Sequence, residues 1–221
     1  MKKLNEKDKK INIDSIESMN IVCIVSEKIN TNSIDLQKIK ENILPGSYPQ
    51  IVQLPDYFHM TSSLESGDGF FRLSIVDQRI EIHIKRENNY EENFLINILS
   101  QVLDNLGEDV KKKVNAVGFN YFFKQQDSNT VNLTKMLSNK VLNSKEVKVK
   151  DVALRFFLEK DNYKFQIALI PALSIDNIKK NIILIEVNAH ENIDKFNKES
   201  LQSSVIDKRN IILDYLNNIL G

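Results

Sequence analysis

Hydrophobic positions recur along this chain in two alternating rhythms. Ile21-Val22-Cys23-Ile24-Val25 is apolar, β-rich and too short for a helix, which predicts a strand over residues 18–28. Apolar residues then fall three and four apart at Leu36, Ile39 and Ile43, the spacing of a helix. Ser33 stands where a hydroxyl can accept from a free amide of the first turn, and Pro45-Gly46 ends the element. Tyr48 to Leu64 reads as extended, interrupted by Pro49 and Pro55, which suits an edge strand or a bulge. Past the turn signal Gly67-Asp68-Gly69, Phe71, Leu73 and Ile75 alternate with Arg72, Ser74 and Val76. Ile80, Ile82 and Ile84 alternate with Glu81, His83 and Lys85. Period two predicts a pair of strands, each with one buried and one wet face, joined at Asp77-Gln78.

A broad apolar stripe over residues 90–106 (Phe94, Leu95, Ile98, Leu99, Val102, Leu103, Leu106) predicts a long helix that needs a sheet to lie on. Glu91 and Glu92 sit in its first turn, where the helix dipole favours negative charge, and Gly107 follows as a C-terminal cap. The same order then recurs. A strand is expected over 114–125, a helix over 130–142 and a long hairpin turning near Asp161-Asn162. A strand at 182–187 and a final helix over 196–220 complete it.

Two stretches echo each other. Val114-Asn115-Ala116-Val117 matches Met19-Asn20-Ile21-Val22 in residue class, and Thr130–Met136 matches Ser33–Ile39. The expected fold is therefore α+β: an internal duplication of a β-α-β-β-β-α unit, giving antiparallel curved sheets each covered by a long helix. Residues 1–17 read as a flexible lead-in, 18–112 as the first repeat and 113–221 as the second, with one joint domain as the alternative. The alternative architecture is a single helix-grip sheet with an apolar pocket under residues 196–220.

Composition narrows the classes. Hydrophobic residues make up 42% and charged residues 27%, the range of soluble globular proteins. Thirty basic residues balance thirty acidic ones, so no global field draws the chain to nucleic acid or anionic lipid. No stretch approaches the roughly 20 apolar residues of a membrane span, and no apolar run follows the N-terminal lysines as in a signal peptide. A cytoplasmic location is expected. The abundance of Lys, Asn and Ile fits an AT-rich bacterial or phage genome.

Tyr48-Pro49-Gln50, residues Tyr90–Phe94 and Val117-Gly118-Phe119-Asn120-Tyr121 carry a resemblance. From about residue 18 onward the layout resembles a sporadically distributed bacterial protein family of about this length. The resemblance implies an α+β fold and brings no activity with it. Where that family more often has arginine before the central tyrosine, this chain has Asn120.

Catalytic spacings are missing. Glu81, His83 and Lys85 share a strand face, but a metal nuclease needs acidic ligands with a lysine where His83 stands, so a solvated face is the simpler reading. His190-Glu191 lacks the second histidine of a zinc helix, and no glycine-rich loop precedes a helix. Cys23, the single cysteine, lies in an apolar strand as a small hydrophobe. No metal or cofactor is expected, and the chain leans away from an enzyme. Lys111-Lys112-Lys113, Lys148 with Lys150, and Lys179-Lys180 read as solvated charge, which disfavours nucleic acid.

The expected function is that of a non-catalytic interaction protein with a protein partner, a homodimer being compatible and a bacterial conflict or antitoxin role consistent with the composition. The candidate contact residues are Pro55, Tyr57, Phe58, His59 and Met60, an aromatic and methionine cluster beside a proline. Two alternatives stand beside it: a small-molecule-binding or hydrolytic pocket between the repeats, and nucleic-acid binding through a concave sheet face.

Overall fold

The computed structural model describes residues 16–43, 48–63, 70–85, 92–126, 153–160, 163–173 and 181–220. The Pro45-Gly46 stop, the Gly67-Asp68-Gly69 turn, the expected 130–142 helix, the Asp161-Asn162 turn and lysines 148, 150, 179 and 180 lie outside them. The described chain is an α+β protein built on one antiparallel sheet. Its elements are β1 (Ile16–Val25), a 3₁₀ turn (Thr31–Ser33), α1 (Leu36–Ile43), β2 (Gln50–Leu54), β3 (Tyr57–Ser63), β4 (Phe70–Val76), β5 (Arg79–Lys85), α2 (Glu92–Leu106), α3 (Glu108–Lys112) and β6 (Val114–Gln126). Then come β7 (Leu154–Lys160), β8 (Tyr163–Leu173), β9 (Asn181–Asn192) and a last helix, α4 (Lys198–Leu220).

All nine strands join in the order β2-β3-β4-β5-β1-β6-β9-β8-β7. Where two sheets were expected there is one, because β1 and β6 pair directly, Asn20 opposite Asn120 and Ile21 opposite Phe119. Read outward from that seam, the order is β1-β5-β4-β3 on one side and β6-β9-β8-β7 on the other. The first half has one strand more than expected, since Pro55-Asp56 turns the 48–64 stretch into the tight hairpin β2–β3.

Alternation decides which face is covered. Met19, Ile21 and Cys23 of β1, Ile80, Ile82 and Ile84 of β5, and Val117, Phe119 and Tyr121 of β6 are all buried. They form one continuous core with Leu95, Leu99 and Val102 of α2 and Leu201, Val205, Ile212 and Leu216 of α4. The intervening positions make the opposite, open face. The echo sets Met19 on Val114, both buried, but Ile21 on the half-exposed Ala116, because the pairing of β1 with β6 shifts register between Val114 and Ala116.

Local signals behave as their chemistry requires. The β4–β5 hairpin turns without glycine because Asp77 takes the left-handed conformation at φ 51°. Gly107 ends α2 at φ 98°, with its amide donating to Leu103 O at 3.0 Å. Ser33 is not the cap of α1. It lies in the 3₁₀ turn, and Asp35 Oδ1 accepts from the amides of Gln37 and Lys38 at 3.0 and 3.2 Å. No helix among the described residues is long and apolar enough to cross a membrane.

Candidate functional site

Three regions collect polar or exposed groups with a shape of their own. The first contains the residues singled out from the sequence. Phe58 and Met60 face the core and are completely buried, so neither is available to a partner; alternation along β3 explains why. Pro55 is exposed, and Tyr57 and His59 are half-buried on the open face, their rings stacked 6.0 Å apart. His59 Nδ1 lies 2.9 Å from Ser74 Oγ. Pairing across β2, β3 and β4 sets Val52 opposite His59, Leu54 opposite Tyr57 and Tyr57 opposite Val76. Val52 is 50% exposed, Leu54 56% and Val76 39%, and Tyr48 just ahead of β2 is wholly exposed. An apolar corner therefore surrounds Tyr57, and only Pro55, Tyr57 and His59 of the five candidates belong to it.

The second region crosses the centre of the open face. Asn188 Nδ2 donates to Asn120 Oδ1, Asn120 Nδ2 to Asn20 Oδ1, and Asn20 Nδ2 to Glu81 Oε1 at 3.1 Å. His190 Nδ1 stands 3.2 Å from Asn188 Oδ1, and Glu81 receives Arg79 at 2.9 Å with Arg72 at 3.6 Å. The chain of polar contacts thus runs over four strands, which places Asn120 as a link in a ladder. Gly118 lies beside it in close contact with β9, where an added Cβ would meet His190 Cβ at 3.3 Å. His83 lies on β5 two residues from Glu81 and opposite Asn20 in the pairing, and burial first, then the Arg72 charge, lowers its pKa.

The third region lies along α4. A groove of about 530 Å³ is lined by Tyr163, Glu191, Ser204, Asp207, Asn210 and Asp214 among others, all in the second half of the chain. Next to it Lys208, with no exposed side-chain surface, ion-pairs with Glu191 at 2.6 Å and lies 5.0 Å from the Tyr163 ring centre and 5.9 Å from that of Phe119. Burial lowers the lysine pKa against the pull of Glu191. Residue spacing alone did not mark this lysine, because a lone charge on a long helix looks like ordinary surface charge.

Cys23 is buried and its thiol is pushed up to about 12 by that burial, so it holds its proton under ordinary conditions. Among the described residues no three His, Cys, Asp or Glu side chains gather as metal ligands would. No protein-family model matches the chain, and no curated protein matches it either.

Proposed function

We propose that this is a non-catalytic interaction protein whose partner, another protein, docks on the apolar corner of the sheet and adds a strand to β2. The observation that carries this reading is the contrast between the two outermost strands among the described residues. β2, Gln50-Ile51-Val52-Gln53-Leu54, has no charge and exposes Val52 and Leu54. β7 at the far edge carries Arg155, Glu159 and Lys160, the charges that discourage strand addition. An uncharged edge beside exposed apolar side chains is the surface that strand addition uses, with main-chain bonds giving affinity and the side-chain patch giving selectivity. Pro55, Tyr57 and His59 would contact the partner, while Phe58 and Met60 hold β3 to the core.

The finer architectural reading, a duplicated unit, belongs with this proposal. The matching outward order of strands on either side of β1 and β6, each run closed by a long helix, supports it. The ancestral correspondence then takes an even offset, such as Asn20 on Asn120, so that covered positions match covered positions.

The test is affinity capture from a lysate of the encoding organism with wild type, Val52→Lys and Leu54→Asp in parallel. Both substitutions fall at exposed positions and should shift stability by no more than about 0.5 kcal/mol. A stoichiometric partner held by wild type and lost by both variants is expected. Sedimentation as a dimer that Val52→Lys dissociates would identify the partner as a second copy. A wild-type monomer that recovers no stoichiometric partner would overturn the reading.

A further inference from the structure

The open face carries a second site, distinct from the apolar corner. The His83 imidazole stands between the Phe70 ring, edge-on at 5.0 Å, and the Phe122 ring, tilted at 5.9 Å. An Arg72 guanidinium nitrogen lies 3.2 Å from His83 Nδ1. A guanidinium can only donate, so Nδ1 accepts and the ring proton resides on Nε2. That Nε2–H is buried and meets no acceptor among the described residues. A buried donor without an acceptor is costly, and the tautomer that would remove it needs the proton on Nδ1, where the Arg72 guanidinium already donates. The cluster is suited to a flat group that brings its own acceptor. Phe70 is 38% exposed, so one of the two rings flanking His83 is reachable from solvent.

What surrounds the cluster narrows the ligand further. One cross-strand row runs Lys85, Ser18, Phe122, Glu186, Ala168, Arg155. Lys85 and Arg155 thus stand about five strand spacings apart, ~24 Å, the reach of several nucleotides. Lys124 follows Phe122 at the next open-face position of β6, where it meets Glu17 at 3.8 Å. Cations at the two ends of the row can meet phosphates, with rings between them to stack bases, while Glu186 opposite Phe122 confines the phosphate contacts to those ends. The Lys111-Lys112-Lys113 run takes no part, since it lies at the end of α3 and the entry to β6.

We propose that this face binds single-stranded nucleic acid, a base stacking on Phe122 and Phe70 with its carbonyl accepting from His83 Nε2–H while Lys85 and Arg155 meet phosphates. The test is fluorescence anisotropy with labelled oligo(dT), oligo(rU) and oligo(dA) of about 15 nucleotides, between roughly 50 and 200 mM salt. Oligo(dT) and oligo(rU) should bind with micromolar Kd, several-fold tighter than oligo(dA), because adenine has no carbonyl, and affinity should fall with salt. Comparison of oligo(rU) with oligo(dU), which carries the same base, identifies the sugar of the strand. Phe122→Ala should weaken binding about ten-fold. His83→Phe should keep the stacking but erase the preference over oligo(dA). Lys85→Glu, a surface change that leaves the core intact, should weaken all three, and Lys112→Glu none. No binding by wild type overturns the proposal. So does binding that Phe122→Ala, His83→Phe and Lys85→Glu leave unchanged, or equal displacement by polyglutamate without dependence on the rings, which would mark a plain cationic surface.

Discussion

Cys23 shows how much a single position on β1 is set by its face. It lies opposite Ile80 on one side and Val117 on the other, all three without contact with water. Burial raises its pKa from 9.0 to about 12. The unfolded thiol ionises first as pH climbs, while the folded one keeps its proton. The stability that this shift supplies is therefore complete below about pH 9 and is lost as pH rises toward about 12. At about 1.4 kcal/mol per pH unit, wild type should lose about 2 kcal/mol more than Cys23→Ala between pH 9 and roughly 10.5. Urea unfolding of both across that range measures it, and parallel pH profiles would contradict it. His83 works in the opposite direction. Its lowered pKa makes the folded state shed its proton before the unfolded one, so its contribution to stability diminishes as pH falls through the region below its ordinary value.

At the scale of elements, the seating of α4 on the sheet rests on an unusual contact. Lys208 is buried where the helix meets β8 and β9, held by Glu191 and two aromatic rings, and Ser204 Oγ donates to the same carboxylate at 3.0 Å. Removing one partner of a buried pair leaves the other charge uncompensated, whereas removing both can be nearly neutral. Lys208→Met should therefore destabilise the protein by about 2–4 kcal/mol, and Lys208→Met with Glu191→Leu should recover most of that loss. Chemical denaturation of the three proteins decides it; a double variant no better than the single one would show that the lysine matters through packing alone. The sheet edges differ just as sharply, one charged and one bare. That asymmetry turns an otherwise symmetric layout into a surface with a preferred end.

Across the whole molecule, the two halves are joined at two levels. In the sheet the join is the β1–β6 ladder, and above it Arg209 of α4 meets Glu92 at the start of α2 at 2.8 Å. Glu92 is almost fully buried there, and the Tyr121 hydroxyl beneath, its pKa raised by burial and then by Glu92, keeps its proton. Arg209→Ala should cost about 3–5 kcal/mol by leaving the Glu92 carboxylate buried without its cation. A double-mutant cycle with Glu92→Ala should return a coupling energy above about 1 kcal/mol. Additive losses would mean that the ion pair adds nothing to the join beyond the sheet seam and the shared apolar core.

The amino-acid sequence by itself determined local facts: the strands β1, β4 and β5 and the helices α1 and α2 stand where period two and three-and-four spacing put them, with the apolar side of each strand covered. Period two in Phe71–Ile75 and Ile80–Ile84, and the three-and-four spacing of α2, are consequences of backbone geometry that need no partner. Phe58 and Met60 obeyed the same alternation, and counting their aromatic and methionine character as exposed surface overlooked it. Only the tertiary structure decided the strand order, the merging of two expected sheets into one, the bare edge at β2, and the gathering of Arg72, His83, Phe122 and Arg155 on one face. Those residues come from four strands and are dispersed along the chain. Pairing register is a contact between distant segments, and every register that keeps apolar side chains covered satisfies the local pattern equally well.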